Sequence, residues 1–414
     1  MSVKQSLGTV SSQVNMAQVP SSVETPTMVR LKRPRCRYKV ALLVNFIPPY
    51  RVPLFEALAR EFGQLRVFVS TSIEPNRSWT ITWGTLEVVV QRNVMLRKRW
   101  HPSNGFSDIG YVHLPYDTFH QLRRFQPDVV ISGELGLRTA LAAVYRRIRP
   151  TVRLIVWATV SEHTERRRGR LREVLRRKLV RYADAVLVNG DSVGRYIEGL
   201  GVPPTRIIRA PYTTDTSLFS RAKIRTDAGG PFRLLFVGLL IERKGLVPFF
   251  RVLRHWGERH PSCAVTFLLA GDGPQREELA RMPMPPNVVV RFLGSVSYDQ
   301  LPDIYAETDA LVLPTLADEW AVVVNEAMTL GIPVLGSMYS QAVEELVLDN
   351  KTGWTFYPDR TESVYEALDR ALGTPPERRE AMGAAARARA LQLTPEIVAA
   401  NVADAIMSTT KRSS

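Results

Sequence analysis

The stretch Tyr38-Lys39-Val40-Ala41-Leu42-Leu43-Val44-Asn45, then Pro48-Pro49-Tyr50-Arg51-Val52-Pro53, then Leu54-Phe55-Glu56-Ala57-Leu58-Ala59, reads as a strand, a rigid turn and a helix. The apolar run of the strand is almost uninterrupted, which suits a strand covered on both faces. Proline in the first turn costs a helix nothing, because its missing N–H would have no partner there. The same apolar runs recur at 65–69, 86–90, 128–132, 153–158 and 185–189, with helical patterns between them. Strands alternating with helices predict a parallel sheet with helices on both faces. Near Ser220 the pattern breaks, and residues 221–231, ending Gly229-Gly230-Pro231, suit a linker. It restarts with strands expected at 232–237, 264–270, 288–293, 310–314 and 333–336. The fold class is α/β: two doubly wound units, 38–220 and 232–393. A last helix over 394–410 follows, with Thr394 as N-cap and Pro395 at its first position. In open parallel sheets ligands bind beyond the carboxyl ends of the strands, so functional residues belong in the turns that follow strands.

Composition narrows the partners. The 414 residues carry 55 Lys and Arg against 40 Asp and Glu, a formal charge of +15. That excess implies an anionic partner: a phosphorylated small molecule, an anionic membrane face or nucleic acid. No helix-turn-helix, zinc-finger or aromatic stacking motif supports nucleic acid, which leaves it a remote alternative. Two cysteines, Cys36 and Cys263, make neither a disulfide framework nor a metal spacing, which points to a reducing compartment. No apolar run is long enough to span a membrane. Residues 1–37 read as a disordered tail without the apolar core of a signal peptide.

Polar and glycine-rich turns follow successive strands of the second unit. Phe236-Val237-Gly238 leads to Glu242-Arg243-Lys244-Gly245, two adjacent cations that could hold a phosphate or diphosphate. A solvated basic loop is the plainer reading of that pair alone. Leu268-Leu269-Ala270-Gly271-Asp272-Gly273-Pro274 offers close backbone approach to a ligand or simply a tight turn. Then Pro314-Thr315-Leu316-Ala317-Asp318-Glu319-Trp320-Ala321-Val322-Val323-Val324-Asn325-Glu326-Ala327-Met328 carries two carboxylates, Asp318 and Glu326, eight residues apart. Glu326 falls on an otherwise apolar helix, so it needs hydrogen-bonding partners, and sugar hydroxyls would supply them.

The run from Asp318 to Met328, followed by Gly331-Ile332-Pro333-Val334, resembles the signature of glycosyltransferase family 4, the retaining "glycosyl transferases group 1". The turns at Gly238, Arg243-Lys244-Gly245 and Gly271-Asp272-Gly273-Pro274 come in the family's order. The resemblance implies the GT-B fold: two Rossmann-like domains facing a cleft, the first for the acceptor and the second for a nucleotide-sugar donor. It implies that Asp318 contacts the donor sugar, Glu326 the ribose, and Arg243 and Lys244 the diphosphate. Gly238, Gly271, Gly273 and the backbone at Trp320, Ala321 and Val322 approach the donor. His163, after the strand 153–158, takes the place of a functional histidine facing the sugar; a surface histidine paired with Glu162 or Glu165 is the alternative. Asp318, His163, Arg243 and Lys244 are thus the candidate catalytic set. This chain departs from the family in having Asp318 where Glu is usual, Leu239 where Arg is frequent, Ala321 where Gly is usual, and Pro48-Pro49-Tyr50-Arg51 where a glycine pair is common.

Arg51 and Glu134 are candidates to meet the acceptor. The expected reaction moves a hexosyl group, with retention, from a UDP- or GDP-sugar to an alcohol acceptor in envelope, exopolysaccharide or glycolipid synthesis. The alternative is a GT-B sugar-nucleotide binder or epimerase that transfers nothing. No cofactor is expected, since the nucleotide sugar is a substrate, and no Asp-x-Asp sequence suggests a metal. From Arg166 to Arg181, Lys and Arg outnumber Glu nine to one, around an apolar stripe of Leu171, Val174, Leu175, Leu179 and Tyr182. That stripe is expected to pack into the core, or else to meet anionic lipid together with the basic stretch Arg97-Lys98-Arg99-Trp100-His101. A cytoplasmic enzyme, peripheral on the inner face of the membrane and using a lipid-linked acceptor, fits the second reading.

Overall fold

The computed structural model describes residues 36–411 apart from 78, 101–105, 107, 161, 166–168, 223 and 226–228. The tail expected over residues 1–37 therefore lies outside the described residues up to residue 35.

The first sheet is built from β1 (Cys36–Val44), β2 (Phe62–Val69) and β3 (Glu87–Val90), then, past a hairpin, β6 (Val129–Gly133), β7 (Arg153–Ala158), β8 (Ala185–Val188) and β9 (Ile207–Arg209). Its order is β3-β2-β1-β6-β7-β8-β9, every pair parallel. β1 starts at Cys36 and so takes in the last two residues assigned to the tail. The hairpin, β4 (Asn93–Trp100) and β5 (Asp108–Pro115), is antiparallel. It takes up the basic stretch around Arg97, which sequence had assigned to no element, and leaves Val94 and Leu96 exposed. His101 of that stretch lies outside the described residues.

The second sheet holds β10 (Phe232–Val237), β11 (Val265–Ala270), β12 (Val288–Gly294), β13 (Ala310–Leu313), β14 (Val334–Ser337) and β15 (Gly353–Phe356). Its order is β12-β11-β10-β13-β14-β15, again wholly parallel. In both sheets the first strand of the unit lies inside and the order reverses beside it. Each reversal opens a crevice at the carboxyl ends, where no helix covers the edge. The two crevices face a common cleft.

The chain closes on itself at its end. The helix Pro395–Lys411 begins where the Ile397 amide donates to Thr394 Oγ1 at 3.3 Å, the cap that Thr394 was expected to supply. Val398, Ala399, Val402, Ala403 and Ile406 then pack with Leu54, Phe55 and Leu58 in the core of the first sheet, although the preceding helix belongs to the second. Arg60 and Glu396, 3.2 Å apart, mark the rim of that contact. Ile406 is fully buried. Truncating a buried Ile removes transfer energy and leaves a cavity, so Ile406→Ala should cost about 2–5 kcal/mol, read as a lower denaturation midpoint in urea. An unchanged midpoint would mean that the last helix is not part of the first unit's core.

Candidate active site

The cleft encloses about 1300 Å³ and takes its walls from both sheets. Of the residues expected to bind donor or acceptor, Arg51, Glu134, Gly238, Arg243, Lys244, Gly271, Asp318, Trp320, Ala321, Val322 and Glu326 all line it. Gly273 does not; it packs against the backbone of Leu240, where a Cβ would meet the carbonyl oxygen at 2.5 Å. His163 belongs to the one-turn helix Glu162–Glu165, and its side chain lies outside what the structure describes. A shallower hollow of about 330 Å³, lined by Arg251, Arg254 and His255 among others, carries none of these groups.

β10 and β13 are neighbours, so the turns that follow them meet. The 3-10 turn Glu242–Lys244 ends at Gly245, whose φ of +68° brings its Cα against Pro314. A Cβ there would stand 2.1 Å from the Pro314 carbonyl oxygen, so only glycine allows this approach. The result is a buried ion pair: Lys244 Nζ donates to Asp318 Oδ2 at 2.5 Å. Arg243 Nη1 stands 3.6 Å from the same carboxylate and donates to the Ala317 carbonyl at 3.1 Å. Burial alone would push the Asp318 carboxyl up; Lys244 and Arg243 outweigh it and hold it down at about 2. Burial pulls the Lys244 ammonium below its usual value and Arg243 repels it, while Asp318 works the other way. Two cations against one carboxylate leave a positive excess in a poorly hydrated place, suited to a diphosphate.

Glu326 meets the opposite fate. It is 2% exposed on the helix Val323–Leu330 and receives a 2.9 Å hydrogen bond from Tyr305 Oη. Among the described residues no cation offsets its burial, which pushes its carboxyl up to about 7 in spite of Tyr305. Tyr305 thus supplies one of the partners that a buried Glu326 required. Glu319, which sequence reading passed over, stands between. Its side chain remains open to the cleft, yet the restricted hydration there, then Glu134, push it up to about 7. Water reaching its open face moderates that effect.

Backbone strain is concentrated here. Ala321 has φ +60° and Glu134 φ +67°, a left-handed conformation that costs a non-glycine residue about 1 kcal/mol or more. Ala321 thus keeps the backbone geometry a glycine would adopt freely. Glu134 is held by Asn45, whose Nδ2 donates to Glu134 Oε1 at 2.6 Å. Arg138 in turn donates to Asn45 Oδ1 at 2.6 Å. Arg51 is almost fully buried, with Tyr212 at 4.0 Å, Trp157 at 4.8 Å and Phe55 at 5.2 Å from its guanidinium carbon. Its Nη1 has no hydrogen-bond partner, so aromatic faces rather than a carboxylate balance its charge. Tyr212 stacks on Trp320 across the cleft, and Asn325 Nδ2 donates to the Tyr212 carbonyl at 3.1 Å. Sequence offered no sign of Arg138 or Tyr212, whose partners are remote in the chain. Among the described residues, no group of three His, Cys, Asp or Glu side chains is arranged to hold a metal ion.

The Glu326 environment has a measurable pH signature. Unfolded, this carboxyl titrates near 4.5; folded, near 7. Between those values the folded state keeps a proton that the unfolded state has released, so stability falls as pH rises from about 4.5 to 7, by on the order of 3 kcal/mol. Glu326→Gln should remove this component. Urea unfolding at pH 5 and pH 8 should then show a smaller stability loss in the variant than in the parent, and equal losses would contradict the burial assigned to Glu326.

Known proteins agree with this architecture. Residues 220–389 match the model for "Glycosyl transferases group 1", and residues 48–213 match that for the "Glycosyl transferase 4-like domain". The sulfoquinovosyl transferase of Arabidopsis thaliana is 29% identical over 51% of this chain and 42% of its own. The alpha-D-kanosaminyltransferase of Streptomyces kanamyceticus is 28% identical over 50% of this chain and 55% of its own. The chain thus spans about half the length of these curated relatives. Among solved structures, Anabaena HepE in complex with UDP superposes with a TM-score of 0.68 at 16% identity, over 89% of this chain and 100% of that one. Sucrose-phosphate synthase from Thermosynechococcus elongatus gives 0.64 at 17% identity, over 91% and 100%. With both sheets and both halves accounted for, the chain belongs to the group 1, family 4-like glycosyltransferases of GT-B fold.

Proposed function

We propose that the protein transfers a hexosyl group from a nucleotide diphosphate-sugar to an alcohol acceptor with retention of anomeric configuration. The observation that carries this reading is the Arg243–Lys244–Asp318 cluster facing Glu326 in one cleft. The two cations hold the leaving diphosphate and stabilise the charge that develops on it, the largest electrostatic demand of the reaction. Asp318, kept ionised beside them, accepts hydrogen bonds from sugar hydroxyls. Glu326 accepts from the ribose. UDP and UDP-glucose are bound by the solved relative HepE, which supports the same class of donor here.

The acceptor enters from the first domain, past Glu134 and the aromatic box around Arg51, and the role of the family's functional histidine falls to His163 by the sequence resemblance alone. Among the described residues no side chain of the site stands out as a covalent nucleophile, so attack from the face of the departing diphosphate, through an oxocarbenium-like transition state, is the mechanism we favour. Neither a metal nor a cofactor takes part, and activity should survive a chelator. The formal +15 and the family's chemistry support a cytoplasmic enzyme, peripheral at the inner membrane face, with a lipid-linked acceptor in envelope, exopolysaccharide or glycolipid synthesis.

Product analysis with an α-linked donor tests this reading. Transfer should give an α-linked product, and Lys244→Ala should lower kcat roughly a hundredfold or more, the loss seen when one preorganised donor is removed. A β-linked product refutes retention. Full activity in Lys244→Ala refutes the phosphate role, and donor hydrolysis or epimerisation with no transfer to any hydroxyl favours the non-transferring alternative.

A further inference from the structure

The sequence left the apolar stripe of the helix Arg170–Arg181 either packed into the core or facing lipid; Leu171, Val174 and Leu175 are 75%, 48% and 55% exposed, so at these positions it does not pack into the core. What faces inward is Arg176. It is 4% exposed, forms a close ion pair with Glu165, and donates to Tyr196 Oη at 2.7 Å. A buried charge must keep its partners, so this ion pair fixes the helix's rotation about its axis and commits the leucines to the outside.

The neighbouring helix Leu137–Ile148 repeats the arrangement, with Val144 50% and Ile148 61% exposed. The two helices touch, and Arg146 ties their ends by donating to the Tyr182 carbonyl at 2.9 Å. Both start at the cleft, where Leu137 and Arg172 line the rim, and both run away from it. Arg147, Arg149, Lys178 and Arg181 stand exposed on the same pair of helices. Soluble surfaces rarely carry a joined apolar stripe of this kind without a partner. An apolar stripe framed by cations matches one surface in particular: acyl chains beneath anionic headgroups.

We propose that the paired helices Leu137–Ile148 and Arg170–Arg181 form a docking face for an anionic lipid bilayer, which sets the mouth of the cleft against the membrane. The apolar side chains enter the headgroup boundary, and the cations meet lipid phosphates around them. Docking itself requires nothing of the active site. Its consequence, that an acceptor held in the bilayer reaches Glu134 and Arg51 without leaving it, rests on the transfer reading above.

Flotation with vesicles separates the two. The full chain should float with phosphatidylglycerol–phosphatidylcholine vesicles at low salt, float less at high salt, and stay behind with pure phosphatidylcholine. Leu171→Glu/Val174→Glu/Leu175→Glu should lower partitioning about tenfold or more, and Arg147→Glu/Lys178→Glu should lower it on anionic vesicles only. None of these residues belongs to the donor site, so the thermal shift produced by a nucleotide sugar should be unchanged in both variants, which also shows that they fold. Failure of the parent chain to float at low salt, or equal flotation of the triple Glu variant, overturns the proposal. So does a parent chain that is dimeric in solution, ignores vesicles and becomes monomeric in the triple variant, since the face would then be an interface between copies. Transfer activity enters none of these readouts.

Discussion

The ion pair between Lys244 and Asp318 is the contact on which the cleft's chemistry turns. It joins the turns after two adjacent strands, β10 and β13, and it closes only because Gly245 lets one turn press against Pro314 of the other. Removing charges from water is costly, and a buried pair repays that cost only with close geometry. Here the pair is supplemented by Arg243 and by the Trp320 amide, which donates to Asp318 Oδ1 at 3.3 Å. The arrangement keeps an ionised carboxylate and two cations in a poorly hydrated place before any ligand arrives. Preorganised charge of this sort needs little rearrangement when a diphosphate departs.

Asp318 and Glu326 show how environment sets the fate of similar groups. Eight residues apart on one strand-to-helix connection, both are buried. Cations hold the first ionised at about 2, and their absence lets burial carry the second up to about 7. A carboxyl poised near neutrality becomes a full acceptor when hydroxyl donors come within reach, whereas one locked as an anion accepts at any ordinary pH.

Much of this was legible in the chain. Apolar runs separated by helical periods located the parallel strands, because strands buried on both faces must be continuously apolar. The spacing from Asp318 to Glu326 and the Arg243-Lys244-Gly245 turn pointed to the cleft, since both features are local. The hairpin Asn93–Trp100 with Asp108–Pro115 escaped notice: its first strand is largely exposed, so no burial imposes a clean alternation there, and the second lines the cleft rather than a core. The sequence left the orientation of the helix Arg170–Arg181 open, because Glu165 and Tyr196, which draw Arg176 inward, lie outside the helical pattern. The strained Glu134, its support by Asn45 and Arg138, and the aromatic box around Arg51 join residues far apart in sequence, which periodicity cannot pair.

The central claim is that the second domain's cation–carboxylate cluster binds a nucleotide diphosphate-sugar. A thermal-shift series across UDP-, GDP- and ADP-sugars tests it most directly, because a ligand that binds only the folded state stabilises it by about 2.7 kcal/mol at a hundred times its Kd. The account predicts that one of these donors raises the melting temperature by several degrees, and that the shift is lost in Lys244→Ala. No shift with any of them, or an undiminished shift in Lys244→Ala, would contradict it.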